Sequence, residues 1–306
     1  MIGLAGLAAL PFPVASRSFS TMRSGPIGPF SFCLNTSTVR GQGLNLTGNM
    51  ELAAQAGYDG VEIWVRDLQQ YVEQGGNPED IARLAADLGL RIENAIGFAA
   101  WIVDDPAARQ KALEQAKREM DLLARAGCHR LAAPPAGATD TRGLDLDRAA
   151  GRYAALLGLG EKMGVMPQLE VWGFSKNLHT LPQVLYVAAA SGHPGARILP
   201  DIYHLHRGGS GFEGLKLVSG RAIEVFHLND YPAAIPADQL KDGDRVYPGA
   251  GDAPILNVLR DLQAAGGPKV LSLELFNQTY WAQDALLVAR RGLESMRSLA
   301  EEAVRS

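Results

Sequence analysis

Four residues whose types suit metal chemistry interrupt four successive apolar runs in the second half of the chain. They are Glu170 in QLEVWG, Asp201 in ILPDIYH, His227 in VFHLND and Glu274 in LSLELFN. Each is costly where it stands. A carboxylate inside an apolar run is tolerated only when it is paired, protonated or bound to a cation. Three carboxylates and an imidazole form an oxygen-rich donor set. It suits Mn²⁺ first, then Mg²⁺ or Co²⁺, and it accommodates Zn²⁺. The expectation is therefore one divalent metal ion held by Glu170, Asp201, His227 and Glu274.

Such a metal, chelated by a carbonyl and its neighbouring hydroxyl, orients a sugar and acidifies the C–H beside the carbonyl. A carboxylate within hydrogen-bond reach then takes that proton. Glu170 and Glu274 are the expected acid/base pair, one removing the proton and the other returning it. Return to the opposite face is epimerisation. Return to the neighbouring carbon is isomerisation.

Positioning these groups needs strands whose ends meet. From Phe30 onward eight short apolar runs alternate with amphipathic helical patterns: 30–34, 60–64, 91–97, 129–134, 166–172, 196–204, 223–230 and 269–277. Gly57, Gly89, Gly127 and Gly164 follow helical stretches as C-caps would. Alternating strands and helices imply parallel pairing through right-handed crossovers. The fold class is α/β, a single (β/α)8 TIM barrel, whose usual size is about 250 residues. An open dinucleotide-binding sheet would need a Gly-rich fingerprint after the first strand, and LNTSTVRGQG does not match it. In a barrel the chemistry gathers at the C-terminal ends of the strands, where all four candidates fall.

The chain has 306 residues, 47% hydrophobic and 20% charged, with a formal charge of −4. That charge argues against a nucleic-acid partner, which would want a basic face. Two cysteines, Cys33 and Cys128, build no disulfide framework. Residues 1–29 stand apart. Their apolar run followed by small residues reads either as an export-signal remnant lacking its basic start or as a disordered tail. The run is too short to span a membrane as a helix. Localisation, cytoplasmic or exported, hangs on that segment. Residues 30–306 form the catalytic barrel.

Aromatic residues follow several strands: Phe98, Trp101, Trp172, Phe174, Tyr203 and Trp281. Some would stack on the apolar faces of a sugar and others would cap the barrel. Asn35, Glu62, Asn94 and Asn229 are polar at strand ends and suited to binding hydroxyls. RGGSG (207–211) reads as a phosphate cradle or a flexible turn, and a phosphorylated substrate is not favoured.

The stretches PDIYHLHRGGS, FHLNDYP, DGDRVYPGAGDAPI and LSLELFNQTYW resemble the xylose-isomerase-like barrels, the sugar phosphate isomerase/epimerase family, over about residues 30–300. Within that family the Asp-Arg-Val-x-Pro-Gly segment and the Glu-Leu-Phe strand are most similar to those of inosose isomerases. The resemblance implies the same metal ligands, Glu170, Asp201, His227 and Glu274. It also implies that His204 contacts substrate or a second site and that Arg245 helps close the pocket. The expected substrate is a small keto-sugar or keto-cyclitol, bound by His204, Arg245, Trp172, Asn35, Glu62 and Trp281. A homo-oligomer suits this kind of barrel, although no sequence feature demands one.

Two other functions compete. A lyase, dehydrating an inosose or eliminating from a 3-keto-glycoside, shares the first proton abstraction and the same metal. A non-catalytic sugar-binding barrel would tolerate loss of a ligand or base, and none is missing. A DNA-repair endonuclease with three metals would need histidines after the second and third strands, yet His129 is the first histidine in the chain.

Overall fold

The segment that carries Glu274 shows how this sequence builds a site. In LSLELF the odd positions Leu271, Leu273 and Leu275 join the main apolar core, whereas Val270 belongs to a separate small cluster with Cys33, Trp64, Ile96, Ala132, Leu199 and Val225. Successive strand residues point to opposite faces. One face of every strand therefore packs against the helices and the other fills the barrel. Val270, Ser272 and Glu274 share the inner parity. The apolar residues lie at the start of the strands and the polar ones towards the C-terminal end.

The structure, a computed structural model, describes residues 25–305. Eight strands run in chain order: β1 (Phe30–Asn35), β2 (Gly60–Trp64), β3 (Arg91–Ile96), β4 (Arg130–Ala133), β5 (Met166–Glu170), β6 (Ile198–Leu199), β7 (Val225–His227) and β8 (Lys269–Leu273). All ladders are parallel. One sheet has the order β3-β2-β1-β8-β7 and the other β4-β5-β6. The β1–β8 pairing, Phe30 with Lys269 through Leu34 with Leu273, joins first strand to last. Across the β6–β7 seam the backbone still connects, through His227 N–H to the Pro200 carbonyl at 3.0 Å and a bridge between Asp201 and His227. This is the expected (β/α)8 barrel, with all eight strands in the regions read from the sequence.

Helices fill the connections, among them Leu46–Ala56, Pro106–Arg125, Leu146–Met163 and Ala285–Arg305. Gly57, Gly89, Gly127 and Gly164 all take positive φ where helices end, a conformation that costs glycine nothing. Among the described residues no helix is long and apolar enough to cross a membrane.

Two expectations need correction. The sixth strand does not run to 204. It ends at Leu199, and Ile202–Arg207 is a short helix because the Asp201 side chain accepts the His204 N–H at 2.9 Å and caps it. Likewise β8 ends at Leu273, so Glu274 lies just beyond the ladder. Of the tail expectation, residues 1–24 lie outside the described residues. Residues 25–29 sit against the barrel: Ile27 and Phe30 form a bridge, and Arg297 donates to the Gly25 carbonyl.

Candidate metal centre and active site

Asp201, His227 and Glu274 come from three adjacent strand ends, β6, β7 and β8. They offer ligand atoms that all lie within 4.8 Å of one another, and all three residues are buried. His227 is fully enclosed. Among the described residues its Nδ1 makes no hydrogen bond, facing Asp201 Oδ2 at 3.5 Å and Glu274 Oε2 at 3.4 Å. A buried ring nitrogen aimed between two carboxylates, with no partner of its own, fits a divalent cation.

Glu170, the last residue of β5, stands apart from this trio. It is 4% exposed, and its side chain makes no hydrogen bond or ion pair with a described residue. Burial, reinforced by the nearby Glu274, Asp201 and Glu62 carboxylates and only partly offset by His227, pushes its carboxyl up to about 8. Glu274 goes the other way. Although it is as deeply buried, His227 and Arg245 hold it down to about 2. Asp201 is likewise held below the usual carboxylate range, with Arg245 and His204 outweighing its burial. Glu62, Glu274 and Asp201 raise His227 well above an ordinary imidazole in the metal-free chain, despite its burial.

Arg245 is a permanent cation in the site. Its Nη1 bridges Asp201 Oδ2 at 3.0 Å and Glu274 Oε2 at 2.7 Å, and Nη2 donates to Asp242 Oδ1 at 2.7 Å. Its guanidinium stacks over Tyr203 and Phe276, 4.3 and 5.1 Å from their centroids. Against the Arg245 guanidinium stand the carboxylates of Asp201, Glu274 and Glu62, so with His227 neutral as a ligand negative charge remains for a metal to balance.

His204 is 1% exposed. Its Nδ1 accepts the Gly173 N–H at 3.1 Å, and its Nε2 faces Arg245 Nη2 at 3.2 Å. Burial lowers it to about 4, so the ring is neutral near pH 7. Both ring nitrogens thus face N–H donors, and a neutral imidazole accepts from only one of them.

Asn35 and Glu62 belong to the same network. Asn35 donates through Nδ2 to Glu62 at 2.7 Å and to Glu274 at 3.1 Å. Asn229 donates to Asp201 at 3.0 Å. Glu62 is fully enclosed. Trp172 lines the mouth in a chain of ring contacts from Trp64 through Phe98 to Trp172 and Phe174, with centroids 5.7, 6.1 and 4.6 Å apart. Phe98 and Phe174 are exposed at that rim.

Other aromatic expectations resolve differently. Trp101 is core: 1% exposed, its Nε1 bonded to the Pro134 carbonyl and its ring against Tyr153. Tyr203 is buried with its hydroxyl on the Leu240 carbonyl. Trp281 donates to the Ser37 carbonyl at 3.0 Å and so holds the loop after β1. RGGSG is a turn after the Ile202–Arg207 helix, and Gly208 packs against the His179 backbone.

Several residues of the site went unread in the sequence. Ser272 donates to Glu62 at 2.6 Å, Arg40 lies 4.1 Å over the Trp64 ring, and Phe276 meets Trp64 edge-on. Ser272 carried a usable signal, since it shares the parity of Glu274. Arg40 sits in an irregular turn where no periodicity operates.

The model of the xylose isomerase-like TIM barrel family matches residues 50–299. The chain belongs to that family. Its curated relatives are enzymes. A 3-dehydroshikimate dehydratase of Pseudomonas putida is 27% identical over 264 residues, 84% of this chain, and the chain spans only 40% of that protein's length. An inosose isomerase of Bacillus velezensis is 26% identical over 275 residues, 86% of this chain and 96% of its own length. Among solved structures, the IolI protein with a bound zinc atom superposes with a TM-score of 0.81 at 22% identity, covering 89% of this chain and 99% of that one.

Proposed function

We propose that the chain is a divalent-metal-dependent isomerase or epimerase of a keto-sugar or keto-cyclitol. The observation that carries this reading is a buried Asp201–His227–Glu274 ligand group beside a second buried carboxyl, Glu170. Asp201, His227 and Glu274 would hold the cation, Mn²⁺ first, with Glu170 as a fourth ligand once deprotonated. When bound, the cation would supply Lewis acidity to the substrate carbonyl.

The protein's own groups divide the proton work, since environments that push two carboxyls apart separate acid from base. Glu274, held anionic by His227 and Arg245, takes the proton from the carbon beside the carbonyl. Glu170, the second buried carboxyl at the rim, is the partner that returns a proton to the enediolate. His204 and the Arg245 guanidinium would face the substrate oxygens. Asn35 keeps Glu274 in place, and Trp172 with Phe98 and Phe174 offers apolar surface to the ring's C–H faces.

A second reading, a lyase, is favoured by the 3-dehydroshikimate dehydratase relative. Loss of a leaving group from the carbon next to the enediolate would use the same base. Proton NMR in D₂O separates the two. Mn²⁺-activated protein is given 2-keto-myo-inositol, fructose, psicose, a 3-keto-glucoside and 3-dehydroshikimate. Deuterium entering beside the carbonyl together with a new isomer is the expected result. An unsaturated product moves the protein to the lyases. No exchange with any of the five contradicts the catalytic reading.

A further inference from the structure

Glu62 sits in the middle of β2, one strand pairing away from Asn35 and far in sequence from the ligand trio. As a strand-end polar residue it reads as a substrate contact. Its surroundings argue otherwise. Oε2 accepts from Asn35 Nδ2 at 2.7 Å and from Ser272 Oγ at 2.6 Å. Oε1 accepts from Asn94 Nδ2 at 2.7 Å and lies 3.0 Å from His227 Nε2. A carboxylate has about four lone-pair positions. All four are used inside the protein, on a residue with no exposed surface, so none is left for a substrate hydroxyl.

The network also has a direction. Asn35 uses its Oδ1 to accept from the Ser37 N–H at 2.9 Å and from Trp64 Nε1 at 3.1 Å, which turns its NH₂ towards Glu62. Asn94 uses its Oδ1 to accept from Gln168 Nε2 at 3.3 Å, which turns its NH₂ the same way. Glu62 is thus placed as an acceptor by neighbours whose own orientation is fixed. His227 Nε2 must then be the fourth donor. Once Nε2 carries the proton, the lone pair of a neutral ring is on Nδ1, the partnerless atom between Asp201 and Glu274.

We propose that Glu62 is a positioning residue: it locks His227 in the Nε2–H tautomer and aims the Nδ1 lone pair at the cation shared with Asp201 and Glu274. The assignment rests on the metal reading above and adds a role for a residue outside the ligand group. A carboxylate behind a ligating histidine fixes ring orientation and strengthens the ligand. The four donors around Glu62 come from β1, β3, β7 and β8. The tautomer of one ligand is therefore set by the closure of the barrel itself.

The test uses Zn²⁺, which is diamagnetic, and reads the ring instead of turnover. In ¹⁵N-histidine-labelled, Zn²⁺-loaded protein, long-range proton–nitrogen spectra should show His227 protonated at Nε2 and bare at Nδ1. The resonance is identified by its absence in His227→Gln. Calorimetry should show Glu62→Gln binding Zn²⁺ about 10- to 100-fold more weakly, with a second His227 tautomer in its spectrum. A Glu62→Gln protein with wild-type affinity and an unchanged His227 pattern overturns the role of Glu62 and leaves the metal reading standing. If that variant does not fold, the wild-type spectrum decides alone, and a proton on Nδ1 with Nε2 bare overturns the proposal. Wild-type protein that takes up no Zn²⁺ overturns the metal reading and this assignment with it.

Discussion

Two glutamates on the same rim, both buried to 4% exposure, hold their protons with opposite strength. Glu274 has Arg245 at 2.7 Å and His227 at 3.4 Å, while Glu170 has no bonded partner and three carboxylates nearby. The consequence for stability has a definite sign. A carboxyl whose proton is held more tightly in the folded than in the unfolded chain contributes fully below its unfolded pKa and loses that contribution as pH rises through its folded one. For Glu170 that window runs from 4.5 to about 8. Metal-free Glu170→Gln should therefore melt several degrees above wild type at about pH 8 and close to it at about pH 4. Scanning calorimetry across that range checks this, and a difference that does not grow with pH would contradict it.

At this scale much of the site was legible. Asp201, His227 and Glu274, which the structure brings together, and Glu170, which stands beside them, drew notice because a charge in an apolar run has few explanations. Arg40, Phe276 and the burial of Trp101 were not legible. Those facts depend on which loops meet across the barrel mouth, and local pattern does not encode that.

Between residue and barrel, the segment after β7 positions Arg245. Asp230 accepts from the backbone N–H groups of Tyr231, Gly249, Gly251 and Ala253 at 2.8 to 3.0 Å. Its backbone also exchanges two bonds with Val246, the residue after Arg245. One carboxylate thus ties DRVYPGAGD into a fixed loop. Gly251 allows the approach, since a Cβ there would lie 2.4 Å from the Tyr231 carbonyl. Asp230→Ala should cost about 2–3 kcal/mol, the scale of leaving buried donors without a charged acceptor, and should loosen Arg245. Urea unfolding measures the first effect. A loss within a few tenths of a kcal/mol would show that the loop is held elsewhere. The strand patterns were readable because their period is local. The early stop of β6 was not, since Asp201 serves at once as a candidate ligand and as the cap of the next helix.

Taken whole, the barrel is two arcs of sheet, with ladders missing between β3 and β4 and between β6 and β7. Ion pairs span both seams at the face opposite the site. Arg130 reaches Glu93 at 3.2 Å and Glu224 at 2.7 Å, and Arg197 reaches Glu224 at 2.9 Å. The division of labour follows strand direction, with charge balanced by arginines at one end and left negative at the other. The alternation of strands and helices gave away the barrel, but nothing in a linear pattern marks where its ladders break. The uncompensated charge at the C-terminal end is what the account assigns to a metal, and metal content tests it most directly. After dialysis against Mn²⁺ and removal of free ion, plasma mass spectrometry should find one Mn²⁺ per wild-type chain, with most of it lost from Asp201→Asn and Glu274→Gln. A wild-type chain that retains no metal, or variants that retain as much as wild type, would contradict the account.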